Sequence, residues 1–312
     1  MKAAILVVGL VLSAGACKKS GGSGGGGGGG WGVGAAGLMI NLKTDGSSSR
    51  YDLASSENLN AIACRFSGEA WVVGDHGTLL YTNDGGDTWL PQSIPATADL
   101  RSIATQDFGP VFVAGNGVFL TSADTGAHWT SLGDGATRFR SIAAAQDAEV
   151  VLAVSDDGAL WSYENKQLVK RGTFAGARVV AVSADGQTAL LAGDNMLARS
   201  TDAGRTWSAL ASTESVRYDD VRLDSTGAAT AVGTGGAVAH ISSDNTVVMQ
   251  HIGTADLHTI HISETGDYES IGFAAGDAGN VFVTQDGGWT WAAGQNVGLA
   301  VLGLDEIGVG HR

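Results

Sequence analysis

The side chains with the chemistry for catalysis or binding are few in this chain of 312 residues. They are two adjacent acid pairs, Asp156-Asp157 and Asp219-Asp220, three histidines, His251, His258 and His261, and the arginines, which stand out in a chain poor in positive charge. Two carboxylates can divide the acid and base work of hydrolysis. Consecutive residues of a strand point to opposite faces, however, so neither acid pair acts without a partner from elsewhere. His258 and His261 are an odd number apart and diverge by the same rule. With no cysteine at ligand spacing they assemble no metal site, and none is expected. No cofactor is expected either, since the run Gly24 to Gly30 opens no helix that could cradle a phosphate. Lys and Arg number 18 against 32 Asp and Glu, a net charge of −14, which repels nucleic acid and removes that class of partner. With 44% hydrophobic and only 16% charged residues, the chain folds and buries a core.

The N-terminus is a processing segment. Met1 and Lys2 precede an apolar run, Ala3 to Leu12, too short to span a bilayer. The run leads to Ser13-Ala14-Gly15-Ala16-Cys17. These residues resemble a bacterial lipoprotein signal, with Ala14 where that signal usually carries a large aliphatic residue. The resemblance implies a signal peptide over 1–16, a diacylated Cys17 and a bacterial cell-envelope address, with Lys18 hinting at the outer membrane. Ser20 to Gly30 contains only Gly and Ser, so residues 17–30 read as a flexible tether. Its root-mean-square span is roughly 17–20 Å. Two acyl chains anchor stably where one does not. Cys64 then has no partner, and its neighbours Ala61-Ile62-Ala63 and Phe66 mark it as a small buried hydrophobe.

The elements that must position the polar residues form a repeat. Leu59-x-x-Ile62, Leu100-x-x-Ile103, Phe139-x-x-Ile142, Val179-x-x-Val182, Tyr218-x-x-Val221, Leu257-x-x-Ile260 and Leu299-x-x-Leu302 open units spaced by about 40 residues. Most units continue with an apolar strand ending in glycine, as in Trp71-Val72-Val73-Gly74 and Phe112-Val113-Ala114-Gly115. A further strand then runs into Ser/Thr-x-Asp-x-Gly-x-x-Trp, with Asp84 and Trp89, Asp124 and Trp129, Asp202 and Trp207, and Asp286 and Trp291. Worn copies lie near Ser162-Tyr163-Glu164 and Ser242-Ser243-Asp244. The aspartate accepts backbone N–H groups, glycine supplies a positive φ, and tryptophan plugs the gap between sheets.

This motif resembles the Asp-box, or BNR repeat, of β-propellers. The resemblance implies an all-β, seven-bladed propeller of four-stranded antiparallel blades over residues 31–312. The seventh blade is split: its opening strand is at Leu299 to Leu304, and a late strand with a worn box is at Gly37 to Gly46. Pairing of the two ends closes the ring and removes the sheet edges. Ile307 to Gly310 and Trp31 to Gly34 both qualify as its second strand. Six blades with an extra flap is the alternative.

In such a ring each blade's entry into its inner strand and its second turn share one face, near the mouth of the central channel. The residues after the opening hydrophobes are Asn60, Arg101, Arg140, Val180, Asp219, His258 and Ala300. The second turns add Asp75, His76, Asp156, Asp157, Asp194 and Asp277. The candidate binding face is thus Arg101, Arg140, Asn60, Asp219, His258, Asp75 and His76. The Asp-box aspartates, on the opposite face, are structural.

Among Asp-box propellers, the sialidases require an early Arg-Ile-Pro signature. Pro91, Pro95 and Pro110 follow no Arg-x pair, and Tyr51, Tyr81, Tyr163, Tyr218 and Tyr268 come without the nucleophile's partners. The run Asp84-Gly85-Gly86-Asp87-Thr88-Trp89 and the unit length resemble the photosystem II stability and assembly factor family, whose members are non-catalytic and bind proteins. The expectation is a lipid-anchored, non-enzymatic scaffold or assembly factor. It holds the membrane through Cys17 and an unidentified protein through the mouth, where the family's basic patch has its counterpart in Arg101 and Arg140. The competing reading is an envelope glycan binder or divergent glycoside hydrolase, which requires aromatic and carboxylate side chains converging on one face.

Overall fold

The computed structural model describes residues 29–307 apart from 54, 66–67, 107–108, 147–148 and 264–270. The signal peptide, Cys17 and nearly all of the tether lie outside the described residues, as does Phe66. Seven four-stranded antiparallel sheets make a seven-bladed propeller, not six blades with a flap. Blades 1 to 6 begin with the inner strands Leu59–Cys64, Leu100–Thr105, Phe139–Ala144, Ala177–Val182, Tyr218–Leu223 and Leu257–Ile262. Blade 7 joins the chain ends. Its inner strand is Val301–Ile307, its second Gly29–Gly34, its third Met39–Lys43 and its outer Ser48–Arg50. The ambiguity over the second strand is thereby settled in favour of the N-terminal segment, and Ile307 ends the inner strand. Gly29 and Gly30, the last residues of the glycine run, belong to this strand and pair with Lys43 and Leu42.

Close packing explains the glycine that ends nearly every second strand. A Cβ on Gly34, Gly74, Gly115, Gly193, Gly233 or Gly276 would stand 1.9–2.2 Å from a carbonyl oxygen at the entry to the same blade's inner strand. No other residue fits there. The inner and second strands are almost wholly buried, and aromatic rings fill the gaps between blades. Trp89 of blade 1 meets Trp31 of blade 7 edge-on, with ring centroids 5.9 Å apart. Trp207 of blade 4 meets Phe174 at 5.8 Å, also edge-on. The tryptophans are therefore the plugs that the repeat implied.

The four intact boxes are built alike. In blade 1, Thr82 Oγ1 donates to Asp84 Oδ1 at 2.6 Å and accepts Gly86 N–H at 3.1 Å, while Thr88 donates its N–H and its hydroxyl to Asp84. The same bonds hold Asp202 and Asp286, and Asp124 differs only in that His128 bonds it through its N–H and its imidazole where the others have a threonine hydroxyl. The worn copies have a different construction. Blade 3 makes a tight hairpin at Asn165-Lys166, both at positive φ, and its outer strand Gln167–Thr173 runs seven residues. There Arg171 bonds Ser162 and Glu164 in place of a box. In blade 5, Asp244 keeps its bonds to Ser242 and Thr246. The worn copies are thus alternative hairpins with longer outer strands.

Candidate functional site

A register shift in each inner strand builds the site. In blade 1, Leu59 stands opposite Gly74 and Ala61 opposite Val73, so Asn60 is left over in a bulge. The same shift releases Arg101, Arg140, Asp219 and His258. In blade 4, Ala177 pairs with Gly193 and Val179 with Ala192, so the bulge residue is Arg178, not Val180. In blade 7 it is Leu302, not Ala300. The alignment on opening hydrophobes ran two residues late in blade 4, where it hid an arginine, and two residues early in blade 7. Blades 2, 3 and 4 therefore carry Arg101, Arg140 and Arg178 at equivalent places.

The second turns share this face. Asn60 Nδ2 donates to Asp75 Oδ1 at 2.8 Å. Arg140 lies 2.9 Å from Asp156, and His258 Nε2 lies 2.7 Å from Asp277. Arg178 Nη1 lies 3.8 Å from Asp194. In four blades, then, the bulge residue meets the aspartate of its own second turn. Bonds between blades join these pairs. Arg101 Nη1 donates to both oxygens of Asp156 at 2.9 Å, and Arg138 Nε lies 3.2 Å from it. Asp219, with a fully buried side chain, takes Arg178 at 3.1 Å, Arg217 at 3.0 Å and His258 at 3.4 Å. Arg217 also reaches Asp256 at 3.2 Å. Asp157 turns away to its own Ser155, and Asp220 into the channel wall, so neither acid pair acts as a pair.

Arg101 and Arg140 thus do not form an open basic patch. Asp156 lies between them, and both are buried. Arg101 Nη2 has no hydrogen-bond partner among the described residues. The exposed guanidinium groups are those of Arg138 and Arg217, with side chains 54% and 36% exposed. Sequence reasoning passed over both. Each immediately precedes an opening hydrophobe, Phe139 or Tyr218, as Asn58, Asp99 and Asp256 do in their blades, and polarity at that place was the available signal. His76, at φ 53° and exposed, bonds Glu57, which raises its pKa.

Electrostatics separates the two acids of blade 5. Burial pushes the Asp219 carboxyl up, but His258, Arg217 and Arg178 outweigh it and hold the pKa below the ordinary value. Asp220 is pushed up to about 7 by burial, although Arg222 and the N–H groups of Val221 and Ile260 pull the other way. Arg222 runs on to His261, and His261 to Asp305, whose Oδ2 accepts Cys64 N–H at 2.8 Å. His258 and His261 therefore serve opposite ends of the channel. Cys64 is buried as expected, but it is not a free thiol.

Residues 33–136 match the family model described as photosynthesis system II assembly factor YCF48. The ring is built like that of YCF48. The solved YCF48 from Cyanidioschyzon merolae aligns with TM-score 0.62 at 19% identity, over 80% of this chain and 88% of its own. A structure described as YCF48 bound to D1 peptide aligns with TM-score 0.63 at 17% identity, over 90% of this chain and 92% of its own. No curated protein matches the sequence. The chain is a BNR-like propeller similar to the photosystem II assembly factors.

Proposed function

We propose that the chain is a lipid-anchored, non-enzymatic propeller of the bacterial cell envelope that binds a protein partner, as a scaffold or assembly factor, through its channel mouth. The observation that carries this reading is the arc of five arginines over blades 2 to 5: Arg101, Arg138, Arg140, Arg178 and Arg217. Their own aspartates hold them in place. Two of them stay exposed at the rim, and Arg101 keeps a donor to spare. Planar guanidinium groups so fixed suit the carboxylates of a polypeptide. A YCF48 structure that holds a peptide supports the same kind of partner. Among the described residues the mouth network contains no Phe, Tyr or Trp ring, which the glycan reading requires.

Crosslinking and mass spectrometry of the full-length protein in its own membranes tests this. Arg138→Glu with Arg217→Glu is the variant to compare, because these side chains are exposed and reversal of the buried Arg101 would disturb the fold. A specific protein neighbour lost in the variant is the expected result. A neighbour retained at wild-type yield removes the mouth from the reading, and no reproducible protein neighbour favours a glycan. Anchoring has its own test. The sequence has two cysteines, and Cys17 cannot carry both a thioether-linked diacylglycerol and a disulfide. The intact mass of the membrane-extracted protein decides between them, and Cys17→Ala is expected to release the protein from membranes.

A further inference from the structure

The chain enters blade 7 at its Asp-box end. Gly29 stands opposite Ile307 and opposite Lys43, the residue just before the worn box Thr44-Asp45-Gly46. The step from Cys17 to Gly29 thus starts on the face away from the arginine mouth. Twelve residues reach roughly 40 Å at full extension and about 17–21 Å on average. To lay the mouth on the same membrane, the tether would have to cross two strand spacings to the rim and climb a strand, on the order of 27 Å.

Three large apolar side chains are exposed among the described residues: Leu90 at 63%, Trp289 at 58% and Val248 at 46%. All three lie at the Asp-box end. Trp289 is inside the box of blade 6 and Leu90 directly follows that of blade 1. Val248 is the second residue of the outer strand that follows the Asp244 turn in blade 5. Blades 6 and 1 flank blade 7, where the tether enters. Trp289 is held flat against His240, with centroids 4.3 Å and planes 13° apart, and Val248 stands across the ladder from the same His240. One ring face is therefore fixed and the other is open to solvent. Such a ring suits a membrane interface.

We infer that the Asp-box face around blade 7 lies on a zwitterionic lipid surface, with Trp289 and Leu90 entering the headgroup layer and the arginine mouth turned away from the membrane. This orientation rests on the lipid-anchored reading. The surface is zwitterionic because the ionised carboxylates of Asp45, Asp84 and Asp286 share the face, and an anionic sheet repels them over a Debye length of about 8 Å.

The test uses the full-length acylated protein in phosphatidylcholine vesicles that carry a spin-labelled lipid quencher. Trp289→Cys, Leu90→Cys and, on the exposed mouth-side loop, Ala136→Cys each receive an environment-sensitive dye, which the buried Cys64 does not take. Co-flotation with vesicles is read first, then quenching. Dyes at 289 and 90 are expected to be quenched several-fold more than the dye at 136, and phosphatidylglycerol is expected to reduce the difference. Protein absent from the floated fraction overturns the anchor and the orientation together. Floated protein whose dye at 289 is quenched no more than that at 136 overturns the orientation alone, and so does a signal that changes with protein concentration and not with lipid, which marks a second copy on this face.

Discussion

In the box of blade 1, Asp84 is bonded by Thr82 and Thr88, two and four residues away. At the channel mouth, Asp156 is bonded by Arg101, 55 residues away, and Asp219 by Arg178, 41 residues away and in the preceding blade. The box aspartate closes a turn with groups its own segment supplies. The mouth aspartates add partners from neighbouring blades to those of their own: Asp219 takes Arg217 two residues away and also Arg178 and His258, and Asp156 takes Arg138 and Arg140 and also Arg101, so each is fully satisfied only when adjacent blades stand together. The first kind of site adds stability blade by blade. The second ties blades together and gives the mouth arginines fixed directions, which a binding surface requires.

The largest effect is expected from Asp219→Ala. The substitution takes from Arg178, Arg217 and His258 the fully buried carboxylate they share and leaves them only Asp194, Asp256 and Asp277, which are partly exposed. Removal of one partner from a buried ion pair costs about 3–5 kcal/mol, and a loss of that size is expected in the denaturant midpoint. A loss of no more than about 2 kcal/mol, the level expected for the hydrogen bonds of a box aspartate, would place Asp219 with the box aspartates.

The neighbouring residue gives the next largest effect, through pH. Asp220 sits near 7, against 3.8 for an ordinary aspartate, so between those values the native protein keeps a proton that the unfolded chain has released. Its contribution is whole below about pH 4 and is lost as the pH rises through 7, on the order of 2–4 kcal/mol. Box aspartates act in the opposite sense. Asp84 and Asp202 are held down to about 2 chiefly by hydroxyl and backbone donors, and Asp124 to about 2 by the backbone N–H and the imidazole of His128, so their contribution is whole above about 4 and is lost as the pH falls towards 2. Asp220→Asn is therefore expected to flatten the stability profile between pH 4 and 7 and to leave the acid limb below 4 in place. An unchanged slope between 4 and 7 would assign it to another group.

These differences also explain what could be read in the sequence. Thr82 to Trp89 is a complete structural unit, and because each box draws its bonds from its own few residues, the motif recurs at fixed offsets and is visible in the chain. The strand-ending glycines are legible for the same reason, since each blade brings the same carbonyl against them. The mouth was legible only as a face. Asn60 with Asp75 and His258 with Asp277 follow from blade geometry, but that Asp156 draws Arg101, Arg138 and Arg140 together depends on side-chain reach between blades. Arg178 was missed for a more specific reason. Val179-x-x-Val182 mimics the opening of the other units, and only the pairing of Ala177 with Gly193 shows the true start of the strand.

The smallest effects sharpen the contrast between local and ring-wide sites. Asp84→Ala leaves the hydroxyls and N–H groups of an exposed turn to water, so about 1–2 kcal/mol is expected from the lost bonds, and Asp202→Ala should lower the denaturant midpoint in the same direction. Blades 1 and 4 share no partner in these turns, and the double variant should equal the sum of the singles within about 0.5 kcal/mol. Asp156→Asn with Asp219→Asn is the corresponding pair at the mouth. There Arg140 already feels the charge of Arg178. Neutralising Asp156 changes the field in which Arg178 holds Asp219, so this double cycle should depart from additivity by more than 0.5 kcal/mol. Additive mouth variants would reduce the network to separate ion pairs, and coupled box variants would mean that the hairpins communicate through the ring.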